Sequence, residues 1–254
     1  MIPVAAPLRV QSRLAAAADG PRPVLHASTT ALYVDLDGWC LGLVSATATR
    51  VPCALWSTLP DLAPLAGRPV AVRDGTLLVG DEPVRIGRVV DPRATTVAPR
   101  ASYDPATTAH VTSDLDLPAD GRLTAAHVDR LVGRGPGLTP LGDDVLAGWL
   151  ATRAALGRPD PTLADAVRHR LGATTLLSAT LLDCATRGEV LPQLGAWLAE
   201  PTTSAVGALL AVGATSGAGL LAGAGLALTS LTSDTDRTTH TDTDTDTEQA
   251  WRAA

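Results

Sequence analysis

From Thr202 to Ser233 the chain carries no charged residue. A run of that length either spans a bilayer or lies buried in a protein core. Six glycines (Gly207, Gly213, Gly217, Gly219, Gly223 and Gly225) interrupt it, Thr215 and Ser216 sit in its middle, and neither end carries an aromatic belt or a basic cluster. Those features favour a buried helical hairpin made of small residues over a membrane span.

Such a hairpin needs other elements to cover it, and 254 residues with 46% hydrophobic content are enough for one large domain or two modest ones. From Leu123 onward the apolar residues recur at helical spacing. "LTAAHVDRLVG" ends on Gly133, a natural helix stop, and "VLAGWLATRAALG" places Val145, Gly148, Trp149, Thr152 and Leu156 on one face. Residues 22–100 read differently. Short β-rich runs flank Asp37-Gly38 and again Asp74-Gly75, both hairpin dipeptides, with strands expected at Val70–Val72, Thr76–Val79 and Val84–Val90. The expected class is therefore α+β: an antiparallel β sandwich or barrel-like region over 1–100, a linker over 101–122, and an α-helical domain over 123–231. The Thr/Asp-rich stretch 232–254 reads as a disordered tail. Its Asp242, Asp244 and Asp246 imitate the start of a calcium loop without the turn glycine.

Composition excludes several chemistries. The chain has no Lys, so a Walker-type phosphate loop, a pyridoxal Schiff base and a protein-kinase strand lysine are all ruled out. A net charge of −6 without a basic stripe argues against nucleic-acid binding. Three scattered cysteines without a C-x-x-C pair argue against a disulfide framework or a thiolate zinc site and fit a reducing cytoplasm. The first twenty residues lack a basic start followed by a continuous apolar core, so they do not read as a signal peptide. No two histidines stand at zinc-hydrolase spacing.

The most distinctive chemistry-bearing stretch is "GRGPGLTPLGDD", residues 133–144. Thr139 is suited to cap a helix whose first residue is Pro140. The glycines before it can present backbone N–H groups to an anion at that helix start, with Arg134 nearby. Asp143 and Asp144 fall in the first turn, where they either complement the helix dipole or contact a substrate amide or a cation. Adjacent helical residues point about 100° apart, so the pair cannot chelate one ion from a regular helix. Two hydroxyl clusters follow: Thr174, Thr175 and Ser178 before or on a helix, and Thr215 and Ser216 in "GATSGAG". Hydroxyls in such positions either cap the backbone or face a ligand.

Taken in order, "GRGPGLTPLGDDVLAGWL", "TTLLSATLLDCATRG" and "AVGATSGAGLLAGAGLAL" resemble the AllH-type family, typified by the third subunit of bacterial oxamate carbamoyltransferase. The resemblance covers about residues 123–228 and is looser over the β-rich half. It implies a cytoplasmic subunit that works with other subunits in purine (allantoin) catabolism. The implied reaction moves a carbamoyl group between an oxamate- or oxalurate-like substrate and phosphate, giving or consuming carbamoyl phosphate. It also implies Asp143, Asp144 and Ser216 as catalytic candidates, and Arg134, Gly135, Gly137, Leu138, Thr139, Gly142, Thr174, Thr175, Ser178, Thr215 and Gly217 as the substrate- or anion-binding set. No metal site and no cofactor are required by the sequence. A magnesium-dependent hydrolase using the two aspartates and a non-catalytic metabolite-binding or assembly subunit stand as alternatives.

Three departures from the family pattern stand out: Leu141 stands for Ser, Ala214 for the His of GHTSG, and Ala218-Gly219 where an acidic residue is usual. A polar part of the family site is therefore missing, which leaves open a different substrate or catalysis by a partner subunit.

Overall fold

A computed structural model describes residues 1–94, 97–98 and 103–231. Among these residues nine strands form one curled sheet, a half-barrel, and helices follow it as far as residue 231. The strands are β1 (Ile2–Pro7), β2 (Gly20–Pro21), β3 (Val24–Ala27), β4 (Ala31–Asp35), β5 (Cys40–Val44), β6 (Ala54–Ser57), β7 (Val70–Arg73), β8 (Thr76–Val79) and β9 (Glu82–Val90). Their order across the sheet is β2-β7-β8-β9-β1-β6-β5-β4-β3. The pairings are antiparallel except β1 with β9 and β5 with β6, which are parallel.

Both Asp-Gly dipeptides make the expected tight turns. Asp37 and Gly38 have φ of 55° and 80°, and Asp74 and Gly75 have φ of 49° and 66°. Positive φ at both central residues matches the right-handed twist of the flanking strands. The central strand β1 and the helix that follows it, α1 (Leu8–Ala16), lie before the region read as β. In β1, Ile2, Val4 and Ala6 are buried, whereas Pro3 is exposed and Pro7 ends the strand.

The remaining helices are α2 (Ala109–Thr112), α3 (Ala125–Leu131), α4 (Leu141–Ala155), α5 (Pro161–Arg170), α6 (Leu176–Ala185), α7 (Pro192–Ala199), α8 (Thr203–Leu210) and α9 (216–231). The stretch expected as a linker carries α2 and two short helical turns, and its Leu115 joins the helical core. Thr124 and His127 form a reciprocal capping box that starts α3, which gives His127 a structural task.

Helix α4 is buried continuously from Gly142 to Thr152. It can sit in the centre because α9 packs against it through glycine. A β-carbon on Gly148 would strike the Leu220 carbonyl, and one on Gly223 would strike that of Val145. The uncharged run is thus two helices with a break between them: α9 is buried and packs backbone to backbone through Gly217 and Gly223, whereas only Leu209 of α8 is buried, so the expected buried hairpin holds for its second helix alone. Among the described residues, no helix is long and apolar enough to cross a membrane. The Thr/Asp tail, with its calcium-loop imitation, lies outside the described residues.

Helix α6 joins the two halves. Leu177 and Cys184 belong to the sheet's hydrophobic cluster, while Leu182 and Ala185 belong to the helical one. Thr180 accepts the Cys40 N–H at 2.9 Å, and Arg9 of α1 pairs with Asp183 and, at 3.3 Å, with Glu189. The cavity described next lies where these halves meet.

Candidate functional site

The loop 133–140 is shaped by three positive-φ glycines, Gly133, Gly135 and Gly137. Gly133 also lies so close to the Ala173 carbonyl that a β-carbon would not fit. The loop closes on itself: the Gly142 N–H donates to the Arg134 carbonyl at 2.9 Å, and the Thr175 hydroxyl donates to the Leu138 carbonyl at 2.5 Å. The residue preceding α4 in the capping position is Pro140, not Thr139. Thr139 instead places its hydroxyl 2.8 Å from that of Ser216.

The two aspartates have different surroundings. Asp143 is 1% exposed and accepts three hydrogen bonds. The Gly133 N–H donates to Oδ1 at 2.8 Å, while the Thr174 and Ser178 hydroxyls donate to Oδ2 at 2.5 and 2.6 Å. This carboxylate is a clamp that ties the loop, α4 and the start of α6 together. Thr175 completes the clamp by accepting the Ser178 N–H at 3.1 Å as the cap of α6.

Asp144 is 6% exposed, and its Oδ2 has no hydrogen-bond partner among the described residues. Burial pushes its pKa well above the ordinary carboxylate value; a hydrogen bond from Ser216 opposes the shift and the nearby charge of Asp143 adds to it. Gly219 of α9 contributes to that burial, since a β-carbon there would press on the Asp144 side chain. Burial favours the protonated form of this carboxyl, which carries one O–H donor and retains acceptor capacity.

Asp144, Thr139 and Ser216 line a cavity of about 240 Å³ between the helices and the sheet. Leu177, Leu181, Leu191, Leu194, Val212 and Leu220 supply much of its apolar wall, and Tyr33, Thr49 and Glu189 add polar groups. Leu138, 43% exposed, and Gly213 also line it, so the motif loop lies where the cavity meets the surface.

The structure separates the sequence candidates into groups. Asp144, Thr139, Leu138 and Ser216 meet at the cavity. Asp143, Thr174, Thr175 and Ser178 meet beside it as the clamp. Gly142 and Gly217 serve close packing, against the carbonyls of Leu131 and Leu209. Arg134 is exposed and donates to the Asp114 carbonyl at 3.0 Å; Gly135, Gly137 and Thr215 are not among the cavity-lining residues. The amides of Gly142, Asp143 and Asp144 donate to backbone carbonyls of Arg134 and Pro140, so these three N–H groups are already used at the start of α4.

Tyr33 and Thr49 carried no signal in the sequence, since they reach the cavity from the β-rich half; Glu189 directly follows the α6 stretch but matches none of its motif positions. The cysteines are buried free thiols. Burial pushes Cys40 up to about 12 and raises Cys53 and Cys184 well above the usual thiol range, so none is a ready nucleophile. Among the described residues, no group of three or more His, Cys, Asp or Glu side chains is gathered to hold a cation.

Residues 131–228 match the family described as oxamate carbamoyltransferase subunit AllH. The AllH match runs from the last residue of α3 into α9. It therefore takes in the loop, both aspartates, the α6 hydroxyls and the Thr215-Ser216 turn, but none of the sheet. Comparison with curated proteins and with solved structures found no match.

Proposed function

We propose that this chain is a cytoplasmic, small-molecule-handling subunit of a carbamoyltransferase-type assembly, and that its cavity holds the CONH₂ end of an oxamate- or oxalurate-like substrate. The observation carrying this reading is the buried, unpartnered Asp144 Oδ2 on the wall of the cavity, within the AllH match. A carboxyl and a primary amide are complementary: the amide N–H donates to one oxygen while the protonated oxygen donates to the amide carbonyl. The Ser216 and Thr139 hydroxyls stand beside that position to orient the group.

Transfer to phosphate forms a bond from a phosphate oxygen to the carbamoyl carbon and breaks the carbon–nitrogen bond, with the phosphate proton ending on the departing amide nitrogen. Asp144 and Ser216 can position the carbamoyl group for that attack and hydrogen-bond the charge developing on its oxygen. Other subunits would supply the groups that hold phosphate, since no Arg, Lys or His is among the described residues lining this cavity. A place in purine nitrogen catabolism follows from the same reading.

A magnesium-dependent hydrolase is less well supported, because Asp143 spends both oxygens on three donors and Asp144 faces apolar walls. A non-catalytic assembly role gains support from the clamp, but the clamp does not explain a cavity with an unpartnered carboxyl oxygen.

The test is a thermal-shift series with oxalurate, oxamate, carbamoyl phosphate, oxalate and phosphate, on wild type and Asp144→Leu. Ligands bearing CONH₂ should raise Tm in the wild type and lose that effect in the variant. Equal shifts by oxalate or phosphate would remove the basis for the reading.

A further inference from the structure

The cavity's charge inventory narrows the ligand beyond the presence of a CONH₂ group. Its described lining holds two carboxyl side chains, Asp144 and Glu189, and no Arg, Lys or His. Glu189 already pairs with Arg9 at 3.3 Å, and Arg9 also pairs with Asp183, so this wall has no surplus positive charge. The rest is aliphatic for the most part: leucines from α6, α7 and α9, with Val51, Pro52, Val190 and Val212. A ligand carboxylate or phosphate placed here would lose hydration against apolar walls and gain no cationic partner. An ammonium group would have to draw Asp144 into its charged form at a site that disfavours charge.

Resting on the reading that Asp144 receives a CONH₂ group, the geometry points to an uncharged primary amide on a small aliphatic body as the ligand this chain's own cavity selects. The amide satisfies the unpartnered Oδ2 and the protonated oxygen together, and the aliphatic body covers the leucine walls. Substrates with an anionic end would then bind the isolated chain more weakly than a neutral amide of similar size.

Four probes of similar size separate the possibilities: isobutyramide, isobutyrate, isobutylamine and oxamate. Their binding to the full chain is ranked by thermal shift and by chemical-shift changes at the Gly213 and Ser216 amides. Isobutyramide should rank first, and Asp144→Leu should weaken it by roughly tenfold or more. Oxamate ranking first, with loss in Asp144→Leu, would overturn the neutral-ligand inference while leaving Asp144 as the amide-facing residue, whereas isobutyrate ranking first would overturn both. Isobutylamine ranking first would overturn it by showing Asp144 to be an ionised acceptor. Binding of isobutyramide that is indifferent to Asp144, or no binding by any probe, would end both the inference and the reading beneath it. The wild-type ranking alone decides the charge preference, so the test survives an Asp144 variant that fails to fold.

Discussion

Asp143 and Asp144 are neighbours on one helix turn, yet they belong to different regions of the molecule. Around Asp143 every polar group is matched: one backbone N–H and two hydroxyls converge on two oxygens. Around Asp144 one oxygen is buried without a partner, next to a cavity with aliphatic walls. A saturated polar cluster rigidifies a fold, whereas an unsaturated one stores a binding preference at some cost in stability. The contrast assigns structure to one aspartate and recognition to the other, although both sit in the same first turn of α4.

The largest effect is expected at the clamp. Replacing both Thr174 and Ser178 by Ala leaves the Asp143 carboxylate buried with only the Gly133 N–H, and should lower unfolding free energy by about 3–5 kcal/mol, read from urea denaturation. A loss under about 1 kcal/mol would mean that the cluster is not a clamp.

The second effect is a pH dependence at Asp144. Its folded pKa lies above the ordinary carboxylate value, so the folded state holds a proton that the unfolded state releases. Stability from this group is fully present below the ordinary aspartate range and falls as pH rises towards the raised folded value. The Tm difference between wild type and Asp144→Asn should therefore move in favour of the variant across that window. A difference that stays constant with pH would show that Asp144 is not perturbed.

A smaller effect belongs to Thr175, which caps α6 and holds the Leu138 carbonyl; Thr175→Ala should cost about 1–2 kcal/mol. The smallest is expected at the cavity: Thr139→Ala removes only the hydroxyl pair with Ser216 and should cost about 1 kcal/mol or less in stability while weakening ligand binding. If Thr139→Ala destabilised more than Thr175→Ala, the division between fold and site would fail at this boundary.

Much of this architecture was legible in local chemistry. The Asp-Gly dipeptides specify positive-φ turns, and both hairpins appear where expected. The glycine-punctuated uncharged run specifies close helix packing, and Gly217 and Gly223 provide it. What escaped notice depends on distant partners. Strand β1 carries two prolines, and its register with β9 joins Ile2 to Val84, a pairing no local pattern reveals. The motif loop stood out, but the division of labour between its aspartates did not. That division depends on where α6 brings Thr174 and Ser178 and where α9 brings Gly219 and Ser216. Tyr33, Thr49 and Glu189 likewise reach the cavity only through the tertiary fold.

Urea unfolding of Asp143→Asn beside Asp144→Asn at neutral pH tests the central contrast most directly. An amide at position 143 cannot accept at both oxygens, so that variant should lose about 2–4 kcal/mol. An amide at 144 folds without taking up a proton and should leave stability unchanged or raise it. Equal losses in the two variants, or a larger loss at 144, would contradict the assignment of Asp143 to the fold and Asp144 to the ligand.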